Sequence, residues 1–156
     1  MPDSPTDDDG TFAVLQRFLE AEGWPQIVST AGRVIQTVFS AGATEYYGYL
    51  HWIPDARQLL FYSVYPRHAP KEAMERMQEL VLRANWDLIW GNFELNPDHG
   101  GLRFKTSITL GEAALQPAML RPLTLGNMTA MFRFQPAFDA VLESGASAQD
   151  ALTRAI

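Results

Sequence analysis

Apolar positions change their period several times along the chain, and each change marks an element. Phe12, Leu15, Phe18 and Leu19 recur at helical spacing, with Gln16, Arg17 and Glu20 opposite, which predicts a first helix. Gly23 suits its C-terminal end, and Pro25 prevents continuation. Trp24–Val28 is ambiguous and reads as a short extended piece. Arg33–Ser40 carries the β-branched Val34, Ile35, Thr37 and Val38 and reads as a strand, followed by a turn at Ser40–Ala43. Glu45–Ile53 and Gln58–Tyr65 are aromatic and β-prone, ended by Pro54-Asp55 and by Pro66. Strands joined by short turns predict an antiparallel meander.

The period then lengthens. Ala73, Met74, Met77, Leu80, Val81 and Ala84 share one face of a helix over Pro70–Ala84. Lys71, Glu72, Glu75, Arg76, Glu79 and Arg83 occupy its other face, and Asn85 suits its end. Leu88–Leu95 reads as a strand. Leu102, Phe104, Thr106, Ile108 and Leu110 alternate with polar residues in the next one, after the turn Asn96–Gly101. The remainder is helical: a helix starting near Pro117 or Pro122, a second starting at Pro136 and ending near Gly145, and a last turn or two capped by Ser147. The fold class is α+β, an antiparallel sheet in the order α-β-β-β-α-β-β-α plus C-terminal helices.

Length and charge narrow the classes. The chain has 156 residues, no Cys and a net charge of -6, which fits one domain without disulfides or a thiol nucleophile. Asp3, Asp7, Asp8 and Asp9 are four of its 18 acids, leaving 14 against 12 bases. Residues 1–10 therefore read as a disordered acidic tail and 11–156 as the single domain, with Asp9 or Thr11 available as a helix cap. A near-neutral body has no general pull on nucleic acid, and Arg103 and Lys105 are a thin basic face. No apolar run is long enough to cross a membrane, and the tail is not a signal peptide. With no Cys, this reads as a cytoplasmic chain.

No catalytic motif is present. His51, His68 and His99 are spaced like no zinc signature, and the Asn96–Gly101 loop lacks the carboxylates of a calcium loop. No G-x-G-x-x-G, P-loop or G-x-S-x-G occurs. We expect no catalytic residue, cofactor or metal. The informative feature is aromatic. Strand alternation puts Tyr47, Tyr49, His51 and Ile53 on one face and Tyr46, Gly48, Leu50 and Trp52 on the other. A half-buried antiparallel sheet has one polar face, and these strands have none. Helices covering one face and part of the other would explain this, and so would a second face that meets another chain. Tyr47, Tyr49, His51, Tyr62 and Trp90 are the candidate protein-interaction face.

The stretch Leu59–Leu110 carries a resemblance. Tyr62-Ser63 and Pro66 end a strand, Pro70 opens a helix and Asn85 closes it; Gly91-Asn92-Phe93-Glu94, a turn with Asp98 and Gly100, and Arg103 follow in order. This resembles the YbjN family of bacterial sensory transduction regulators, and more weakly so at Phe18–Trp24 and in the C-terminal helices. The acidic tail and Trp24–Arg33 depart from the pattern. The family is similar in fold to type III secretion chaperones, which implies a homodimer that binds extended segments of partner proteins without catalysis. The resemblance thus implies a non-enzymatic chaperone-like or regulatory adaptor with no nucleic-acid or membrane partner. The alternative is a small-molecule-sensing regulator whose aromatic strands line a pocket.

Overall fold

The structure, a computed structural model, describes residues 8–29, 31 and 33–155. Six strands form one antiparallel sheet in the order β1-β2-β3-β4-β6-β5. They are β1 Ile27–Ser29, β2 Val34–Ala41, β3 Thr44–Ile53, β4 Gln58–His68, β5 Asn92–Leu95 and β6 Gly101–Thr109. Helices α1 (Asp8–Glu22), α2 (Met74–Asp87), α3 (Pro117–Ser144) and α4 (Ala148–Leu152) complete the chain. The α+β class and element order follow the expectation, with the end of the ambiguous Trp24–Val28 stretch forming the start of a short edge strand, Ile27–Ser29.

Several boundaries differ, each for a physical reason. Residues 1–7 of the expected tail lie outside the described residues. Asp8–Gly10 form the first turn of α1, so the helix starts inside the expected tail. β4 runs through Pro66 to His68, because the ladder with β6 shifts register between Val64 and His68 and needs no donor from proline there. Asn85 does not end α2. It stays helical, and its amide exchanges two hydrogen bonds with Phe93, accepting from the backbone N–H at 2.7 Å and donating to the carbonyl at 3.0 Å. Leu88–Gly91 is consequently a connection, and the strand expected from Leu88 starts at Asn92.

The largest correction is α3, which is one helix of 28 residues with Pro122 and Pro136 inside it. A proline within a helix costs about 3 kcal/mol. Burial of Leu123, Met131, Phe134, Phe138 and Val141 along the same helix offsets that cost. Ser147 caps α4 as expected, its hydroxyl accepting from the Asp150 N–H at 3.1 Å.

Two buried clusters make the core. One joins Phe12, Leu15, Phe18 and Leu19 of α1 to Ile35, Leu50, Trp52, Leu59 and Phe61 of the sheet and to Leu120 and Leu123 of α3. The other joins Tyr46, Tyr65, Phe93 and Phe104 to Met77 and Leu80 of α2, to Phe134 and Phe138 of α3, and to α4. Both take the same alternate set of strand residues, so the helices lie on one side of the sheet. Asn127 locks α3 down: its amide donates to the carbonyls of Phe61 and Phe104 at 2.9 and 3.1 Å.

Candidate protein-interaction face

The opposite side of the sheet is left open. Residue for residue, β2 brings Gln36 beside Tyr49 and Val38 beside Tyr47; β4 brings Tyr62 beside Tyr49 and Val64 beside Tyr47. His51 lies between Val34 and Leu60. Four of the five expected residues therefore share one continuous surface: Tyr47, Tyr49, His51 and Tyr62. Tyr47 is 47% exposed, and Tyr49, His51 and Tyr62 are half-buried by their strand neighbours. The surface is aromatic and aliphatic at its centre, with Val34, Val38 and Val64 beside the tyrosines.

Trp90 does not join them. It lies in the connection after α2, and a Cβ on Gly126 of α3 would fall 2.7 Å from its ring. The indole thus covers α3 where that helix has no side chain, on the opposite side of the sheet. Like Leu82 (72% exposed), Trp86 (87%) and Ile89 (102%), it is an exposed apolar side chain of α2 or the connection that follows. The amphipathic pattern of α2 did not assign Leu82 and Trp86. Their i, i+4 spacing on the charged side of that helix is the signal that marks them.

β5 and β6 add charge to the open face. Arg103 stacks over the Tyr62 ring, its guanidinium carbon 4.2 Å from the centroid, a cation–π contact. Its Nε donates to Glu94 across the hairpin at 2.7 Å. Lys105 donates to the other oxygen of Glu94. Burial opposes ionisation of Glu94, but hydrogen bonds from Lys105 and Arg103 and their charges outweigh it and hold the carboxyl below its ordinary range.

Beside this cluster, between the end of β4 and the β5–β6 hairpin, a cavity of about 410 Å³ is lined by Val64, His68, Glu94, Pro97, His99 and Arg103. His68 and His99 meet there, ring centroids 5.3 Å apart, while His51 lies elsewhere on the face. The His68 Nδ1–H donates to the His99 carbonyl, and His99 Nδ1 accepts the Gly101 N–H at 3.1 Å. Among the described residues no cluster of three metal-ligating side chains occurs, and no helix is long and apolar enough to cross a membrane.

With this geometry in hand, comparison with known families is decisive on one point. A family model, YbjN, described as "Putative bacterial sensory transduction regulator", matches residues 11–140. The chain belongs to the YbjN family. A comparison with curated proteins finds no significant match. Among solved structures, E. coli YbjN superposes with a TM-score of 0.57 at 10% identity, covering 76% of this chain and 84% of that one. The ExsC–ExsE complex gives 0.54 at 11% identity, covering 80% and 91%. The HopA1–SchA chaperone–effector complex gives 0.55 at 14% identity, covering 82% and 96%. At such identities the likeness is one of fold. It agrees with the chaperone-like α+β arrangement expected of a YbjN relative.

Proposed function

We propose that this YbjN-family chain is a non-enzymatic, cytoplasmic adaptor or regulator that acts as a homodimer and takes an extended partner segment on its open sheet face. The observation that carries the reading is the aromatic surface of Tyr47, Tyr49 and Tyr62, left uncovered because the helices all pack on the other side. Large exposed apolar surfaces mark interaction sites, and tyrosine is enriched in them. Two of the structural neighbours were solved as complexes with protein partners, which supports the same use of the fold. Leu82, Trp86 and Ile89 are a separate apolar surface and supply the homodimer contact in this reading.

Two measurements test it. Light scattering at micromolar concentration should give twice the chain mass, falling to one chain mass in Trp86→Ser; a wild-type monomer sinks the homodimer. Capture from host lysate should return a partner that Tyr47→Ser/Tyr49→Ser loses and Trp86→Ser retains. Capture indifferent to the tyrosines sinks the sheet-face reading.

A second reading, a small-molecule-sensing regulator, is favoured by an apolar cleft of about 700 Å³ between α1 and the start of α3, lined by Val14, Phe18, Leu115, Pro117, Arg17 and Arg121. That volume is in the range of ligand sites. A metabolite screen by thermal shift should then find a compound whose stabilisation follows mass action and is lost in Phe18→Ser.

A further inference from the structure

The open face ends in a charged corner whose valences are not all used. Arginine carries five N–H donors. Arg103 uses only Nε, on Glu94, and among the described residues its two terminal amino groups have no acceptor. Glu94 is also shared: Arg103 and Lys105 both donate to it. One carboxylate between two cations leaves the corner with one positive charge in excess. The guanidinium is held in place by its stacking on Tyr62, so little further ordering is needed to present it. It borders the cavity beside Val64.

The histidines complete the lining. His99 Nδ1 accepts from Gly101, which leaves the proton of the neutral ring on Nε2, a further donor. His68 donates from Nδ1, so its Nε2 is an acceptor until the ring is protonated. The Glu94 carboxylate also lines the cavity, but both its oxygens are already taken.

We propose that this corner receives a carboxylate side chain of the docked partner segment: the partner is an extended apolar stretch that carries an Asp or Glu about two residues beyond the residue lying over Tyr62. This rests on the sheet-face reading above and adds the chemistry of the partner. Val64 is two residues from Tyr62 on the same face, a distance of about 7 Å along a strand. The acid therefore belongs about two residues beyond the apolar contact. A free C-terminal carboxylate would satisfy the same donors, but a terminus cannot continue past the corner; the extended face favours an internal segment.

The test uses random dodecapeptides displayed on phage and selected on the immobilised full chain. The winners are then made as capped synthetic peptides for fluorescence anisotropy. Tyr47→Ser/Tyr49→Ser should abolish binding of the selected peptides, which should share an acidic residue about two positions from an apolar one. Arg103→Gln should weaken binding about tenfold, as should Glu→Gln or Asp→Asn in the peptide, and the two losses should not add. Binding within about twofold of wild type in Arg103→Gln, or additive losses, overturns the proposal. So does equal binding when the acidic side chain is removed and a free C-terminus stands at its place. Peptides that need Tyr47 and Tyr49 but carry no acid keep the sheet-face reading and overturn this inference. Peptides indifferent to both tyrosines overturn both. A peptide without the acid, binding wild type and Arg103→Gln alike, shows that the variant is folded.

Discussion

Tyr46 and Tyr47 are adjacent on β3 and lead opposite lives. Tyr46 is fully buried, stacked on Phe39 at 5.5 Å, and its hydroxyl donates to Gln135 of α3. Tyr47 is 47% exposed and faces no helix. The same contrast runs across the sheet: Phe61 against Tyr62, Leu50 against Tyr49. Both faces use the same kinds of side chain. What differs is that one is covered within the chain and the other is not. The same residue types thus line a face that the chain covers and a face that it leaves exposed.

Several experiments would break or sharpen that contrast. Phe61→Ala removes a fully buried ring between α1 and α3, and should cost about 3–5 kcal/mol in urea unfolding. Tyr62→Ala, its neighbour on the open face, should cost about 1–2 kcal/mol, because part of its surface already meets water. Equal losses would mean that the open face is covered after all. Asn127→Ala takes a donor from two buried backbone carbonyls, and should cost about 1–3 kcal/mol. Its open-face counterpart Gln36→Ala should stay within about 0.5 kcal/mol.

pH separates the faces as well. Burial, and then the Asp139 charge, push the Tyr46 phenol from 10.0 up to about 12. Burial, followed by the hydrogen bond and charge of Asp139, pushes Tyr65 up further. The unfolded chain gives up these protons first. The stability they contribute is therefore full below pH 10 and falls as pH rises from 10 towards 12. Tyr46→Phe should flatten part of that fall, measured as the urea midpoint against pH.

A further small effect lies on the acid side. The lowered carboxyl of Glu94 contributes stability above the ordinary carboxylate range, lost as pH falls through its folded value. Arg103 is 48% exposed on its side chain, so Glu94→Gln should remove no more than about 1 kcal/mol at neutral pH. A larger loss would mean that the corner is better sheltered from water than its exposure shows.

Much of this was legible in the residues. Alternation over Thr44–Ile53 sorted Tyr47, Tyr49 and His51 from Tyr46, Leu50 and Trp52, because a strand has a period of two whatever its neighbours do. Pairing across strands then depended on register, and the register placed Tyr62 beside Tyr49. Trp90 was misplaced with them because Leu88–Gly91 has strand-like composition. Asn85 keeps α2 running and clamps Phe93 instead, and that contact spans eight residues. Leu82 and Trp86 were hidden by the opposite error, in which the charged neighbours Glu79 and Arg83 made the whole outer side of α2 read as polar.

The residues alone specify the element types, the two faces of the central strands and the family. Each follows from local period, local turn chemistry or a short ordered pattern. Only the tertiary structure decided that α3 passes unbroken through Pro122 and Pro136, that every helix lies on one side of the sheet, and that His68, His99 and Arg103 share one cavity. Those outcomes depend on burial summed over residues far apart in the chain, where a loss at one position is offset by packing at many others.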